Sequence, residues 1–145
     1  MRALGGAPLP SAFKATKVSA AEFPALFGQS VSYGVLQFPG GTTNPPHTHP
    51  RSAELLFLVD GSLQTLQGGD MFIFPKGLVH FQYNADAQNP ALAISAFGSA
   101  SAGTVSIPTT LFATGIDDNI LAKAFMTAVA TIQALKAGLA PKPLG

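Results

Sequence analysis

The chain contains 145 residues, a length typical of a single domain with a core of its own. Charged residues amount to 10% and the formal net charge is +1, which excludes a basic surface that follows a nucleic-acid backbone. The absence of cysteine excludes disulfides and thiolate metal sites. Hydrophobic residues reach 47%, and so little charge predicts that part of the surface is buried against other subunits.

The first residues, "MRALGGAPLP", carry a charge, but Gly and Pro interrupt their apolar part. No signal peptide is therefore predicted in this chain. The longest strictly apolar run is "LLFLV" (55–59), which is too short to cross a membrane.

From residue 12 to about residue 113, the sequence is typical of short β-strands separated by Gly, Pro and Asn. The segments rich in β-branched and aromatic residues are 31–38, 53–60, 70–75, 78–84, 91–97 and 103–108. Phe72, Phe74 and Phe81 are expected to be core residues of these strands. Several short strands at this spacing predict an all-β sandwich or barrel rather than alternating strands and helices.

The composition changes near Asp117, which can cap the start of a helix. Ala, Leu and Lys continue the segment, and apolar residues recur at helical spacing. Gly138 and Pro141 are predicted to end this helix. The low surface charge favours an arm that packs on a neighbouring subunit.

Two of the three histidines and one of the two glutamates lie within eight residues of one another. His47 and His49 are two positions apart, so both rings project from the same face of an extended segment. Glu54 begins the next strand and shares a face with Leu56 and Leu58. If the two strands are neighbours, one carboxylate faces two imidazoles.

His80 lies on a later strand, with Gln82 and Asn84 on the same face. The three histidines and Glu54 can therefore converge inside a barrel, where three nitrogens and one oxygen suit Mn, Fe, Ni, Cu or Zn. An octahedral ion held by these four residues keeps two positions for other ligands. The alternative is a set of hydrogen-bonded core histidines, but an unpaired carboxylate in a Leu- and Phe-rich strand costs several kcal/mol, which favours a metal.

Two spaced motifs in the chain are similar to those of the cupin family. Gly41, His47, His49, Glu54 and Gly61 match G-x5-H-x-H-x4-E-x6-G. The second motif, G-x5-P-x-G-x2-H-x3-N, is also matched in full. Its matching positions are Gly69, Pro75, Gly77, His80 and Asn84. Longer segments such as "NPPHTHPRSAE" and "FIFPKGLVHFQYN" resemble plant germin-like proteins.

The resemblance implies a cupin jelly-roll β-barrel over residues 1–115 and a C-terminal α-helical arm over 116–145 that joins subunits into a hexamer, a trimer of dimers. It implies manganese held by the positions that are His47, His49, Glu54 and His80 here, and these four are the expected catalytic residues. The family's activities are superoxide dismutation and oxalate oxidation. Its usual location is outside the cell, in the plant apoplast or cell wall.

Two departures from the germin pattern affect the choice of activity. Gly34 stands where oxalate oxidases resemble one another in having Asn, whereas Asn44 is kept as a candidate contact for a small ligand. Superoxide dismutation is therefore favoured over oxalate oxidation. A non-catalytic wall, storage or receptor protein with a structural metal remains the third hypothesis.

The second departure is that only seven residues, 62–68, separate the two motifs, whereas germins place roughly a dozen more there in a hairpin. Seven extended residues reach about 23 Å, enough to cross a sheet once but not to return. One edge of the barrel is predicted to be abbreviated.

Overall fold

The computed structural model describes residues 8–140, and its chain divides into two compact units at Val105 and Ser106. The strands of the described residues are β1 (Lys14–Val18), β2 (Ser32–Phe38), β3 (Thr43–Thr48), β4 (Glu54–Asp60), β5 (Ser62–Leu63), β6 (Leu66–Gln67), β7 (Met71–Phe74), β8 (His80–Tyr83), β9 (Ala91–Phe97) and β10 (Val105–Ser106). The helices are α1 (Ile107–Phe112), α2 (Asp118–Ala124) and α3 (Val129–Leu139), and a short 3-10 turn spans Pro24–Leu26. The predicted class, a β domain with C-terminal helices, is confirmed.

The first unit is built from two main sheets. One sheet has five strands in the order β1-β2-β9-β4-β7, and the other has three in the order β10-β3-β8. The alternation of side chains along β4 and β9 buries Leu56, Leu58, Ala91 and Ala93, which join Phe38 in an apolar core. The same alternation carries polar side chains inward further along both strands.

The predicted strands from 31 to 97 are all present, and the extended segment that carries His47 forms strand β3, but β1 was not foreseen. β1 pairs with β2 along its whole length, and β3 contains two prolines within its sequence TNPPHT. Residues 103–108 form only the two-residue strand β10 before helix α1 begins. Pro108 lies in the first turn of α1, where its missing N–H has no helical partner to lose.

The seven residues between the motifs do go out and return, so the argument from their reach is wrong on this point. They form the hairpin β5–β6, in which Ser62 pairs with Gln67 and Leu63 pairs with Leu66. Strands of two residues need only about 7 Å in each direction, which leaves room for a turn. Gln64 adopts the left-handed conformation (φ 50°) in that turn. The abbreviated edge stays a prediction.

The second unit corrects the prediction of one continuous C-terminal helix. Asp117 caps α2 as expected, since its side chain accepts from the backbone N–H groups of Asn119 and Ile120. The helix then ends at Ala124, and Met126 adopts a left-handed conformation (φ 50°) while the Thr127 N–H donates to the Ala122 carbonyl.

Helix α3 continues through Gly138 and ends at Leu139, while Pro141 lies outside the described residues. Leu121, Ala122 and Ile132 form this unit's own small core. This compact unit includes α1, which packs on α3, and it begins at Ser106. The division into a barrel over 1–115 and an arm over 116–145 stays a prediction.

No single helix among residues 8–140 has the length and hydropathy of a membrane span. Helices α2 and α3 reach that length and composition only when counted together, across a bend of 111°.

The outward faces of several strands carry large apolar side chains. Phe72 and Phe81, which were expected in the core, are 49% and 47% exposed, whereas Phe74 packs against the core. Leu55 lies opposite Ile73, and Phe57 lies opposite Met71, on the outer side of the β4–β7 pair. We call these four residues, Leu55, Phe57, Met71 and Ile73, the apolar outer face.

Candidate metal centre

The pairing of β3 with β8 brings two of the histidines together. His47 lies directly opposite His80 in the register of these antiparallel strands, after an irregularity between Asn44 and His47. Their ring centroids are 4.3 Å apart. His49 follows β3 directly and lies 5.0 Å from His47 by the same measure, so the H-x-H spacing does place both rings on one side.

Glu54 reaches the same point from the five-stranded sheet. β4 pairs with β9 and β7, not with β3, so the carboxylate and the imidazoles face each other across the two sheets rather than along neighbouring strands. Glu54 lies opposite Phe97 on one side and Phe74 on the other. Phe74 stacks on the His80 ring at 4.1 Å, and Phe97 meets the His49 ring edge-on at 4.7 Å.

The four side chains converge tightly and are all buried. One ligand atom from each of His47, His49, Glu54 and His80 lies within 4.8 Å of the others. The Oε2 atom of Glu54 is 2.9 Å from the Nε2 atom of His49 and 2.9 Å from the Nε2 atom of His80. The set predicted from the two motifs is therefore one cluster in space.

Each histidine ring is oriented by a main-chain carbonyl. The Nδ1 atom of His47 lies 2.8 Å from the Pro45 carbonyl, that of His80 lies 3.0 Å from the Leu78 carbonyl, and that of His49 lies 2.6 Å from the Gly103 carbonyl. A carbonyl oxygen only accepts, so each Nδ1 must carry the proton.

Once every Nδ1 donates outward, each neutral ring presents an Nε2 lone pair to the interior. Two of these lone pairs face the same carboxylate oxygen at 2.9 Å, an arrangement that needs a cation or a proton between the atoms. Three imidazole nitrogens and one carboxylate oxygen form a donor set for a divalent transition metal. The four residues therefore fit a divalent transition metal ion.

The electrostatics of the cluster favour an ionised glutamate. Burial, the largest influence, raises the pKa of Glu54, but hydrogen bonds with His49, His80 and Ser95 together outweigh it and lower that pKa to about 2. Burial lowers the pKa of His47. Burial also acts to lower the pKa of His80, but its hydrogen bonds to Glu54 and to the Leu78 carbonyl raise it overall.

Two residues that contact Glu54 were not assigned a role from the sequence. The Ser95 hydroxyl donates to the Oε1 atom of Glu54 at 2.5 Å, and the Gln82 side-chain amide donates to the same atom at 3.2 Å. The signal for Ser95 was present, because "ALAISAF" places Ala91, Ala93 and Ser95 on one face of β9.

Asn44, the predicted contact for a small ligand, is connected to the four residues through Gln82 rather than directly. Its side-chain amide donates to the Gln82 side-chain oxygen at 2.6 Å. Asn44 also lines a cavity of about 300 Å3 that reaches the cluster. Other residues that line this cavity are Gly34, His47, His49, Glu54 and Phe97.

Comparisons with known proteins agree with this architecture. The Cupin family pattern matches residues 9–133. Germin-like protein 9-3 of Oryza sativa subsp. japonica is 62% identical over 148 residues, which cover 92% of this chain and 69% of the rice protein. Putative germin-like protein 9-2 of the same organism is 59% identical, covering 93% of this chain and 69% of its own length.

Among solved structures, one of an oxalate oxidase superposes with a TM-score of 0.88 at 29% identity, covering 97% of this chain and 80% of that chain. The predicted jelly-roll fold is thereby confirmed.

Proposed function

Because the chain belongs to the germin-like proteins of the cupin family, we propose that it is a manganese protein that dismutates superoxide. His47, His49, Glu54 and His80 hold the ion. The observation that supports the metal site is that the Nδ1 atoms of all three rings lie within hydrogen-bond distance of main-chain carbonyls. Metal binding is the purpose that this arrangement supports best, because it leaves three Nε2 lone pairs and one carboxylate oxygen facing a common centre.

Manganese, when bound, supplies the electron exchange: one superoxide is oxidised to dioxygen and a second, with two protons, is reduced to hydrogen peroxide. The chain's own residues supply binding and access. The carboxylate of Glu54, when ionised, offsets one positive charge of the ion. The cavity gives a small anion a path to His47 and His49.

Oxalate oxidation is the second candidate, since the oxalate oxidase structure shares the fold. Two observations disfavour it here. Gly34 contributes no side chain to the cavity wall, and one of the two N–H groups of the Asn44 amide is already donated to Gln82. A Cβ atom at Gly34 meets only ordinary contacts, at 3.7 Å from Phe97 and 3.8 Å from Leu36. Gly34→Asn can therefore return an amide to the cavity, and peroxide release on adding oxalate is expected to appear or rise only in that variant.

We further propose that the protein is a homo-oligomer. The resemblance to germins implies that this oligomer is a hexamer. The apolar outer face supports this, because Met71 and Ile73 are 65% and 55% exposed in the isolated chain. The segment 116–145 is proposed as the arm that joins subunits. A Met71→Glu, Ile73→Glu double variant is expected to lower the mass in solution while the secondary structure is kept.

The location proposed for this protein is extracellular, in the plant apoplast or cell wall. This location is the one that the resemblance to germin-like proteins implies, and the identity with two rice germin-like proteins supports that resemblance.

The proposal is tested by metal analysis of the purified protein together with a superoxide dismutase assay. The unmodified chain is expected to contain manganese and to be active, and His80→Ala is expected to lose both. Phe81→Leu is the matched control, since it is the next residue of β8 and its side chain points outward. Undiminished metal content and activity in His80→Ala contradict the proposal.

A purely structural metal is the remaining alternative. It predicts a large fall in melting temperature with a chelator and no turnover of superoxide in the metal-loaded protein. Measurement of stability and activity on the same sample separates this role from catalysis.

A further inference from the structure

We propose that Ser95 and Gln82 are positioning residues that restrict Glu54 to binding a metal through one oxygen. The proposal rests on the metal site proposed above, but not on superoxide as the substrate. In this arrangement one oxygen of the Glu54 carboxylate accepts hydrogen bonds from the protein, and the other binds the metal.

The Oε1 atom of Glu54 has its hydrogen-bonding capacity filled by the protein. The Ser95 hydroxyl donates to it at 2.5 Å, and the Gln82 amide donates to it at 3.2 Å. A carboxylate oxygen has two lone-pair directions, so two donors occupy it fully. The Oε2 atom, in contrast, faces the Nε2 atoms of His49 and His80, which is the side on which a cation fits.

The donors themselves are held in place. Ser95 is fully buried on β9, two register positions along from Phe97, which lies opposite Glu54, since the register partner of Ser95 on β4 is Leu56. Gln82 is buried on β8, and its side-chain oxygen accepts from Asn44, which fixes which end of the amide points at Glu54. Rotation of the carboxylate toward two-oxygen binding requires at least one of these bonds to break, because a lone pair on Oε1 must be freed.

The consequence concerns how many ligand positions the protein fills. A glutamate that binds through both oxygens takes one position more than a glutamate that binds through one. By holding Oε1 away, Ser95 and Gln82 keep that position available to a small exogenous anion that enters through the cavity, which Ser95 also lines. Ser95 is the sharper test of the two, because its hydroxyl makes this contact and its removal leaves the Asn44–Gln82 bond in place.

The experiment loads Ser95→Ala with Co2+ alone and records its visible absorption, followed by titration with azide. Co2+ absorbs visible light more weakly as its coordination number rises. The variant is expected to show weaker bands than the unmodified chain, and its azide affinity is expected to fall about tenfold, a magnitude typical of losing a residue that orients a ligand. Ser95→Thr, which keeps the hydroxyl beside the cavity, is expected to restore both properties.

Ser32→Ala is the matched control. Ser32 is equally buried and lines the same cavity, but its hydroxyl donates to the Ser99 carbonyl at 2.6 Å. Its spectrum and azide affinity are expected to equal those of the unmodified chain. The same spectrum and azide affinity in Ser95→Ala overturn the inference, and so does a complete loss of Co2+ binding, because the hydroxyl is then needed for the site to exist.

The two proposals fail in different ways. If the unmodified chain binds no Co2+, the metal site itself is wrong. If it binds Co2+ and the Ser95→Ala spectrum is unchanged, only the one-oxygen restriction is wrong.

Discussion

The interior of the first unit has an apolar part and a polar part that are built by the same strands. Along β4 the inward residues change from Glu54 to Leu56 and Leu58 within five positions. Along β9 they change from Ala93 to Ser95. Both parts are equally buried, so burial by itself does not decide what chemistry an inward position can carry.

The difference lies in how the buried groups are satisfied. The apolar part needs only close contacts, which Phe38, Leu56 and Leu58 provide. The polar part needs a partner for each donor and acceptor. Ser95 and Gln82 donate to one oxygen of Glu54, and the other oxygen shares a proton or a cation with His49 and His80. Exchange of side chains between the two parts is therefore expected to lower the free energy of unfolding.

The largest effect is expected from Leu56→Glu, which moves a carboxylate from the polar part into the apolar part. Leu56 is fully buried, and its contacts there are apolar. An unpaired carboxyl group in such a position is expected to lower the free energy of unfolding by about 5 kcal/mol. Urea denaturation followed by circular dichroism measures this loss.

Leu56→Met is the control for that variant, because it keeps the volume and is expected to cost less than about 1.5 kcal/mol. Equal stability of the two variants shows that the apolar part tolerates charge, and the contrast between the parts is then wrong.

Removal of the metal is expected to have the next largest effect. A metal present at a thousand times its dissociation constant adds about 4 kcal/mol to the free energy of unfolding, and a chelator removes that increment. Glu54→Gln keeps the shape of the side chain but loses its charge, so manganese is expected to give it little or no increment. Differential scanning calorimetry with and without chelator checks both statements, and an unchanged increment in Glu54→Gln contradicts them.

Asn84→Ala tests a buried polar residue that is not part of the metal cluster. The Asn84 amide donates to the carbonyls of Phe38, Pro39 and Asn89, and its oxygen accepts from the Asp86 N–H. Loss of these bonds is expected to cost about 2 kcal/mol, because carbonyls are left without donors in a buried place. Metal affinity is expected to stay unchanged.

Asn89→Ala serves as the comparison for that variant. The Asn89 side chain is exposed and bonds only to Asp86, so its loss is expected to change stability by less than about 0.5 kcal/mol. Reduced manganese affinity in Asn84→Ala, measured by calorimetric titration, places Asn84 within the metal site and contradicts the division drawn above.

The smallest effect is expected from a change of a single pH unit. The raised pKa of His80 means that a protonated His80 stabilises the metal-free fold; this contribution is present below the unfolded pKa of 6.5 and is lost as pH rises through the raised folded pKa. A metal requires the unprotonated ring, so the metal-induced increment is expected to grow with pH, by about 1.4 kcal/mol per unit for one competing proton.

Glu54 adds nothing to this slope between pH 5 and 8, since its pKa is about 2 and it stays ionised. Unfolding at pH 5.5, 6.5 and 7.5, with manganese and with chelator, measures the increment. An increment that is constant or larger at acid pH shows that His80 is not a ligand.

The sequence predicted which residues meet in the cluster, because two fixed spacings carry that information. His47 and His49 share a side of one segment, and Glu54 and His80 lie on inward positions of strands that the sequence marks by alternation. Asp117 could be predicted as a cap for a similar reason, since capping is a local interaction.

The sequence did not predict how the strands are combined or where the last helix breaks. Whether β4 lies beside β3 or across from it depends on pairing over long distances, which no local pattern encodes. At the break between α2 and α3, Met126 adopts a left-handed conformation that usually belongs to glycine. Because the residue is not Gly or Pro, the sequence gives no signal for this break. The hairpin β5–β6 was not predicted because the argument assumed that all seven residues between the motifs are extended. Composition does not fix the length of a strand, and two-residue strands leave room for a turn.

The acceptors that orient the three imidazoles belong to the peptide backbone, and this has a consequence for how relatives can diverge. Residues 45 and 78 can be exchanged over evolutionary time without altering which ring nitrogen faces inward, since every amino acid brings the same oxygen. Position 103 has less freedom: its glycine has a φ of 74°, and a Cβ there lies 2.7 Å from the Arg51 guanidinium. Relatives are therefore expected to vary freely in residue type at positions 45 and 78 and to keep glycine at position 103.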